Sequence, residues 1–329
     1  MSETKLTCKI GADPEFFLRR KNDGKLVSAH GLIPGTKDKP HRVNDGAIQV
    51  DGMAVEINID PAETAPEFVH NIQSVIQQLS SMLPEYDFVY EPSVIFDKDV
   101  WDSTPDQAKQ LGCTPDFDAY SGTQNIIIPP EENSPLFRMR TAAGHVHIGW
   151  TSNMDVADAT HIEACQILVK ELDYYLSLPL NMASGSDAEL QRKILYGKSG
   201  ACRYKPYGVE YRTPSNFWLR STDTMVWVFN QTKAVFDKLL DGKAKHQNRS
   251  DFVSYYDYNP AIQTPKDINR MREIAVSLGY SLPILEELFG KSVEGKRKAV
   301  EESLEKKGLS QLKTFKEYEQ FMSEYLVKG

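Results

Sequence analysis

The chain has 329 residues, of which 40% are hydrophobic and 26% are charged, and its formal net charge is −8. These fractions are typical of a globular protein, and no apolar run approaches the roughly 20 residues that a membrane-spanning helix needs. The negative charge disfavours nucleic acid and anionic membrane surfaces as partners. We therefore expect small-molecule or peptide substrates, with no nucleic acid and no membrane.

The cysteines and the N-terminus predict the compartment. The four cysteines are scattered without a CxxC pair, which favours reduced thiols over a disulfide framework or a zinc site. The opening residues, MSETKLTCKIGADPEF, lack the charged and then apolar pattern of a secretory signal. We therefore expect a cytoplasmic protein.

The first part of the chain is predicted to form strands and one helix. Residues 5–20 read as a strand that turns back in a hairpin. Residues 47–59 alternate as a further strand, with Asp51-Gly52 as a tight turn inside it. Residues 66–83 have helical apolar spacing. The segment 96–138 that follows shows no regular period, and loops of that length are usually functional or disordered.

The second part combines strands with longer helices. Residues 145–150 and 208–214 read as strands, and residues 155–178 and 222–240 as amphipathic helices. Residues 183–200, rich in Gly, Ser, Asp and Lys, read as a mobile loop.

Strand runs and helix runs that do not alternate regularly predict an α+β fold with a mainly antiparallel sheet. Residues 1–250 would form the catalytic domain. Residues 251–329 carry only helical signals and strong charge patterning, so we expect a helical C-terminal extension packed on that domain.

Four short segments place polar side chains two residues apart, which is the period of a strand. Their sequences are GADPEFFL, AVEINID, GHVHIG and VEYRTPS, and the alternate positions are largely apolar. Each strand would therefore turn its polar atoms to one face of the sheet. The side chains are Asp13 and Glu15, Glu56 with Asn58 and Asp60, His145 and His147, and Glu210 and Arg212.

Carboxylates and imidazoles on one rigid surface form a divalent-cation site, and a neighbouring Arg or Lys adds a site for phosphate. Asp13 and Glu15 flank a proline, which cannot donate to a sheet ladder, although two solvated acids on an edge strand fit equally well. Two histidines at i and i+2 are harder to explain structurally. Glu210 and Arg212 alternatively fit a surface ion pair.

A glycine-rich phosphate loop is not indicated. The GKS triplet at Gly197 has Arg192 where the P-loop pattern requires glycine, and a second GKS triplet fails in the same way. A Rossmann fingerprint is also absent. A nucleotide would therefore bind through metal ions held on the sheet.

Taken in order, these segments resemble the glutamine synthetase superfamily of carboxylate-amine ligases, in particular the compact amidoligases of bacteriophages. Glutamine synthetases carry an E-P-E-F-F-L strand, a later G-M-H-V-H segment and an E-x-R strand, and these match in order over residues 11–214. The resemblance implies a curved, mainly antiparallel sheet lined by metal-binding residues and backed by helices. For a phage protein, the compartment would be the host cytoplasm.

The resemblance also implies a metal-ligand set. Glu15 and Glu56 would ligate one divalent ion, Mg²⁺ or Mn²⁺. Asp13, His145 and Glu210 would hold a second ion, which bridges the phosphates of ATP. Asp13 is shorter than the family's usual Glu, and a further acid of the first site has no clear counterpart. Its candidates are Glu63 and Glu67.

Four more residues match nucleotide-facing positions of the family. His147 lies where the family has a nucleotide or substrate contact. Arg212 lies where it has a cation facing the transferred phosphoryl group, so that Arg212, Glu56 and Glu210 are the implied catalytic residues. Arg203 and Lys205 lie in the stretch that holds further phosphate-facing cations.

The implied reaction transfers the γ-phosphoryl group of ATP to a substrate carboxylate, and an amine then attacks the acyl phosphate to form an amide. The substrates would be small-molecule or peptide carboxylates and amines, and the oligomeric state is open. Water must be excluded from an acyl phosphate, so residues 183–200 and 112–130 are candidate lids.

Two alternatives remain at this stage. A guanidino kinase could use a related catalytic sheet and would give an acid-labile phosphoguanidine instead of an amide. A catalytically degenerate ligase fold could serve as a binding or structural protein. The complete set of acids and histidines argues against the degenerate fold, because a scaffold has no physical reason to keep charges aimed into one cleft.

Overall fold

The computed structural model of the chain describes residues 6–111, 115–184 and 186–243. Its main feature is a ten-stranded sheet, and a separate sheet of two strands lies beside it. The strands in chain order are β1 (Lys9–Arg20), β2 (Leu26–Val27), β3 (His41–Val43), β4 (Gly46–Asp51), β5 (Ala54–Ile59), β6 (Tyr86–Val89), β7 (Ser93–Ile95), β8 (Phe117–Asp118), β9 (Met139–Thr141), β10 (Gly144–Gly149), β11 (Ala201–Lys205) and β12 (Gly208–Tyr211).

Helices fill much of the remaining described chain. A π-helical segment at Asp173–Ser177 joins two of them, and a 3₁₀-helix covers Asn216–Arg220. The α-helices are α1 (Ala65–Met82), α2 (Lys98–Ser103), α3 (Asp106–Lys109), α4 (Ala159–Leu172), α5 (Leu178–Ser184), α6 (Asp187–Leu195) and α7 (Thr222–Leu240). No helix among the described residues combines the length and apolarity needed to cross a membrane.

The sheet runs in the order β3-β4-β5-β1-β10-β12-β11-β8, and β2 and β6 pair with the far end of β1. All pairings between described strands are antiparallel. At 12 residues, β1 is long enough to change partners along its length. It pairs with β10 from Lys9 to Pro14 and with β5 at Glu15 and Phe16.

The hydrophobic core lies between one face of the sheet and the helices α1, α4 and α7. Alternate residues of the central strands point into it, including Phe16, Val146 and Ile148, each fully buried. Thr64 caps the N-terminus of α1, and its hydroxyl accepts the backbone N–H of Glu67 at 3.3 Å. The predicted α+β fold with a mainly antiparallel sheet backed by helices is confirmed. The central strands turn polar side chains to the opposite face, beside a second, smaller apolar cluster that includes Phe17 and Trp101.

The prediction of a mobile loop over residues 183–200 was wrong. Helix α6 and the strand β11 that follows it fix this region, and two cations of α6 are buried rather than solvated. Arg192 donates to the carbonyl of Thr213 at 2.8 Å, and Lys193 contacts the carbonyl of Gly197. The sequence suggested a loop because these cations and their polar neighbours hide the helical period. The predicted helical extension over residues 251–329 lies outside the described residues.

Candidate functional site

Neighbouring strands bring the polar segments together on the sheet face opposite α1, α4 and α7. The order β5-β1-β10-β12-β11 places chemically distinct side chains side by side across each ladder. On the core side the same strands carry apolar residues, so the alternation of the sequence decides which side chains meet. The facing pairs are Glu15 with Glu56, Asp13 with His145, His147 with Glu210, and Arg203 with Glu210.

The strand β10 is held in place by a close contact at its first residue. A side chain on Gly144 would lie 2.3 Å from the indole nitrogen of Trp218 and 2.4 Å from the carbonyl oxygen of Ser215. The indole N–H instead donates to the Gly144 carbonyl at 3.1 Å. The glycine of the GHVHIG segment is therefore required for packing, and it fixes the strand from which both histidines project.

Glu15, Asp51 and Glu56 form the three-acid cluster. Each offers one carboxylate oxygen, and the three oxygens lie within 4.8 Å of one another. Burial and the charge of Asp51 raise the pKa of Glu15 to about 7. Burial and the charge of Asp13 raise the pKa of Glu56 well above its usual value. Hard oxygen donors that repel one another at this distance fit a divalent cation such as Mg²⁺ or Mn²⁺.

The third acid of this cluster is Asp51, which was predicted only as a turn residue. The candidates from the sequence lie elsewhere: Glu63 is exposed and pairs with Lys9 at 3.0 Å, and Glu67 accepts the backbone N–H of Glu63 at 2.8 Å. Asp51 belongs to the cluster because β4 pairs with β5 and places Gln49 opposite Glu56. Two residues further along β4, Asp51 returns to the same face.

Asp13, His145 and Glu210 form the histidine cluster, whose ligand atoms also lie within 4.8 Å of one another. The Nδ1 atom of His145 is 3.1 Å from Asp13 Oδ1 and 3.9 Å from Glu210 Oε1. Burial and the charge of Arg212 lower the pKa of His145 to about 4, which keeps the imidazole neutral and able to ligate a metal. The mixed nitrogen and oxygen donors fit a divalent cation.

Cations surround Glu210 in the histidine cluster. Its side chain is 1% exposed, and it lies 3.1 Å from Arg203 Nη1 and 2.8 Å from Lys205 Nζ. Arg212 Nη1 also contacts it. Burial and Asp13 would raise the pKa of Glu210, but Arg212 and the two histidines, His145 and His147, outweigh them and lower it to about 2. Glu210 is therefore a fixed negative charge around which three cations are oriented.

Two further contacts were not predicted from the sequence. Asp116, in the irregular segment before β8, accepts from Arg212 Nε at 3.1 Å. Tyr207 contacts His147 Nδ1, while the Nε2 atom of this histidine lies 3.1 Å from Asp13 Oδ1. The sequence around Asp116 has no period that assigns it to a face. Tyr207 stands in the turn between β11 and β12, where aromatic residues carry no specific signal.

Most of the predicted polar residues are brought to this face, and one is not. Asn58 lies on it and donates to Glu56 at 3.5 Å. Asp60 instead pairs with Arg42 at 2.8 Å on the surface. The predicted site residues Asp13, Glu15, Glu56, His145, His147, Arg203, Lys205, Glu210 and Arg212 all lie in the two clusters or in contact with them.

A cavity opens at each end of this polar face. The larger, of about 680 Å³, is lined by Gly11, His147 and Tyr207 among others, and its volume is within the usual range for ligand pockets. The smaller, of about 70 Å³, is lined by Glu15 and His145 among others. Asp13 lies between Gly11 and Glu15 on β1, so the two cavities flank the metal-competent side chains along the strand.

Residues 137–270 match the family described as phage phiEco32-like COOH.NH2 ligase-type 2. No curated sequence gives a significant match. The matched segment contains both histidines and the strands β11 and β12. It confirms the resemblance to carboxylate-amine ligases that the motifs predicted.

Several solved structures resemble the chain at low identity. A structure described as a GmaS/ADP complex has 11% identity and a TM-score of 0.44, covering 90% of this chain and 68% of that one. A bifunctional glutathione synthetase from Pasteurella multocida has 9% identity and a TM-score of 0.37, covering 97% and 52%. A novel glutamine synthase homolog has 10% identity and a TM-score of 0.36, covering 86% and 70%.

Proposed function

We propose that this chain, which carries a carboxylate-amine ligase segment over residues 137–270, is an ATP-dependent ligase that joins a carboxylate to an amine through an acyl phosphate. The observation that carries the proposal is the continuous polar face on which two metal-competent clusters adjoin, with a cavity at each end. Two substrates can then approach the same metal-competent centre from opposite ends.

The donor sets support Mg²⁺ or Mn²⁺ as cofactor. Glu15, Asp51 and Glu56 would hold one ion, and Asp13 with His145 and Glu210 a second one. Bound there, the ions would neutralise the phosphate oxygens of ATP and polarise the phosphoryl group that is transferred. The raised pKa values of Glu15 and Glu56 support this assignment, because a divalent cation removes the repulsion that raises them.

We assign the larger cavity to the nucleotide and the smaller cavity to the acid substrate. His147 and Tyr207 line the larger cavity at the end nearest the histidine cluster. Arg212 lines the smaller cavity together with Glu15 and His145. The guanidinium of Arg212 would therefore stand between the carboxylate and the incoming phosphoryl group, where a planar cation offsets the repulsion between two anions.

The cations around Glu210 would stabilise the negative charge that develops during the reaction. Arg203, Lys205 and Arg212 all contact one buried carboxylate, which holds three flexible side chains in defined positions. Preorganised cations stabilise developing charge without reorganising during the reaction. Arg203 and Lys205 would therefore bind phosphate oxygens, and Glu210 would both ligate a metal and orient these cations.

The substrates are proposed to be small-molecule or peptide carboxylates and amines. A net charge of −8 supports neither nucleic acid nor an anionic membrane as a partner. We also propose a cytoplasmic location, in the host cell if the protein is of phage origin.

The test is to incubate the purified chain with Mg²⁺, ATP, and a pool of short carboxylic acids, amino acids and small amines. Phosphate release and new amide masses are followed together, and acids labelled with oxygen-18 are included. A ligase that uses an acyl phosphate gives an amide and transfers one labelled oxygen to the phosphate. ATP turnover with an acid-labile phosphoguanidine and no amide would instead support a guanidino kinase.

Matched variants connect this activity to the site. Glu15→Gln removes one charge from the three-acid cluster, and Glu63→Gln removes one charge from the exposed surface nearby. We expect the first variant to lose amide formation and the second to retain it. Equal activity of the two variants would contradict the assignment of the three-acid cluster to catalysis.

A further inference from the structure

One ring nitrogen of His147 is left without a partner beside the histidine cluster. Its Nε2 atom is buried and has no hydrogen-bond partner among the described residues. It lies 3.1 Å from Asp13 Oδ1 without forming a hydrogen bond to it. Buried polar atoms are nearly always satisfied in folded proteins, so an orphaned nitrogen of this kind indicates a ligand or an ion.

The strand register places His147 between two residues of the histidine cluster. On one side it pairs with Glu210 of β12, and on the other side with Gly11 of β1. Asp13 lies two residues beyond Gly11 and therefore turns its side chain to the same face. His147 thus faces the same polar surface as both carboxylates of the cluster, from the strand that lies between them.

The distances are those expected between neighbouring ligands of one ion. Both imidazoles approach the same carboxylate oxygen, because His145 Nδ1 and His147 Nε2 each lie 3.1 Å from Asp13 Oδ1. Two ligand atoms that are each about 2.1 Å from an ion and at right angles to one another are about 3 Å apart. His147 Nε2 is therefore spaced from Asp13 as a neighbouring ligand would be.

Tyr207 fixes the ring of His147. Its hydroxyl lies 2.5 Å from His147 Nδ1. Its carbonyl oxygen accepts the backbone N–H groups of Trp150 at 2.9 Å and of Thr151 at 3.2 Å, which ties the turn to the end of β10. A histidine that ligates a metal through one nitrogen normally donates its other N–H to an outer acceptor. The Tyr207 oxygen is placed to be that acceptor.

We propose that His147 ligates the ion of the histidine cluster through Nε2, and that Tyr207 is the positioning residue that fixes its ring. The Nδ1–H group would donate to the Tyr207 hydroxyl oxygen and leave the Nε2 lone pair for the metal. This inference rests on the proposed function, because that function places a divalent ion in the cluster. It differs from the sequence-based expectation, in which His147 contacts the nucleotide or the substrate.

The enlarged donor set also predicts which ion the cluster prefers. With His147, the set has two imidazole nitrogens and two carboxylates, whereas the three-acid cluster offers only oxygen. Imidazole favours transition metals, and oxygen ligands suit Mg²⁺. The histidine cluster is therefore expected to prefer Mn²⁺ over Mg²⁺.

Electron spin echo spectroscopy of bound Mn²⁺ tests this inference without requiring turnover. The full chain is loaded with Mn²⁺ in the absence of nucleotide, so that no nitrogen of a base can reach the ion. Comparison of protein with and without nitrogen-15 in its histidines counts the coordinated nitrogens. We expect two in the wild type and one in His147→Gln, whose Mn²⁺ affinity should be about tenfold lower.

The matched control is His70→Gln, at an exposed histidine of α1. It should keep both coordinated nitrogens and the affinity of the wild type. An excess of Mg²⁺ should displace Mn²⁺ from the histidine cluster more readily in His147→Gln than in this control, because one nitrogen donor has been lost.

Tyr207→Phe tests the positioning role and replaces His147→Gln if that variant does not fold. It removes one hydroxyl, and we expect the Mn²⁺ affinity to fall several-fold. Tyr204→Phe removes a hydroxyl that accepts from Gln166 at 3.1 Å and should leave the affinity unchanged. In the His147→Gln background, Tyr207→Phe should have no further effect, because the two residues act as one unit.

The inference is overturned if the wild type shows one coordinated nitrogen, or if His147→Gln retains two. A single nitrogen in the wild type, with weaker ADP binding in His147→Gln, would assign His147 to the nucleotide. Failure of the proposed function gives a different result. In that case the wild type shows two coordinated nitrogens, but ATP, acids and amines yield no amide.

Discussion

The three-acid cluster and the histidine cluster each take one residue of β1, Glu15 and Asp13, but the charges around the two clusters differ. In the three-acid cluster, carboxylates repel one another, and the pKa of Glu15 is raised to about 7 by burial and by Asp51. In the histidine cluster, cations surround the acid, and the pKa of Glu210 is lowered to about 2 despite burial. The position of a carboxylate relative to its neighbours, rather than its burial, therefore decides the sign of the shift.

This difference indicates that the two clusters have different roles. The three-acid cluster has excess negative charge and would bind a cation strongly at the cost of the stability of the metal-free protein. The histidine cluster is nearly balanced by Arg203, Lys205 and Arg212, so its carboxylate also organises the phosphate-facing cations. The same substitution, Glu to Gln, should therefore have opposite effects on stability in the two clusters.

The largest effect is expected from Glu210→Gln. It removes the common partner of Arg203, Lys205 and Arg212, and breaking a buried ion pair by removing one partner costs about 3–5 kcal/mol. We expect the free energy of unfolding to fall by about 3 kcal/mol and ATP-dependent amide formation to fall about 1,000-fold. Urea denaturation and the ligase assay measure these quantities.

The matched control for this variant is Glu91→Gln, which removes an exposed acid paired with Arg220 at 2.9 Å. An exposed ion pair contributes little, so stability should change by less than about 1 kcal/mol. Similar stability losses in the Glu210 and Glu91 variants would mean that the cations around Glu210 do not depend on it.

The next effect is expected from His145→Gln. Because the pKa of His145 is lowered to about 4 by burial and by Arg212, the imidazole is neutral near pH 7, and its loss removes a ligand rather than a charge. We expect activity to fall about 100-fold and one of two bound Mn²⁺ ions to be lost, with little change in stability. Electron paramagnetic resonance of bound Mn²⁺ counts the ions.

His70→Gln, at a histidine whose side chain is 71% exposed, provides the control for this loss. Two ions should remain bound in that variant. If His145→Gln also retained two ions, the histidine cluster would not be a metal site.

A smaller and opposite effect is expected from Glu15→Gln in metal-free buffer. The folded-state pKa of Glu15 is raised from 4.5 to about 7, so its favourable contribution is present below pH 4.5 and is lost as the pH rises through 7. Near pH 8 the variant should be more stable than the wild type by about 1–3 kcal/mol, and near pH 4 the two should be equal. Urea denaturation in the presence of EDTA at both pH values tests this.

Much of this face could be predicted from the sequence, because strand alternation is a local property. The period of two in GADPEFFL, GHVHIG and VEYRTPS assigned Asp13, Glu15, His145 and Glu210 to one face, and the structure brings them together. The resemblance to a known family supplied the implied ligand sets. The helix α7 was also predicted with its observed bounds, because its apolar spacing is regular.

The parts that could not be predicted depend on register or tertiary packing. Asp51 precedes a glycine, which is a turn signal, and only the pairing of β4 with β5 shows that its side chain returns to the face of Glu56. Asp116 lies in an irregular segment and reaches Arg212 through the fold. Helix α6 was not predicted because Arg192 and Lys193 are charged residues that the fold buries. Their burial depends on hydrogen bonds to backbone carbonyls, which composition does not indicate.

The smallest effect tests the acid that the sequence did not identify. Asp51→Asn removes one of three carboxylates from the three-acid cluster but keeps a neutral oxygen ligand, so we expect Mn²⁺ affinity at that site to fall about tenfold. The substitution also breaks the partly exposed ion pair between Asp51 and Lys37, which are 3.5 Å apart. Because such pairs contribute little, the free energy of unfolding should change little. Glu63→Gln and Glu67→Gln, at the two acids predicted in its place, should leave the affinity unchanged. If the Mn²⁺ affinity were unchanged in Asp51→Asn but reduced in either control, Asp51 would not be the third ligand. The third ligand would then lie near the start of α1.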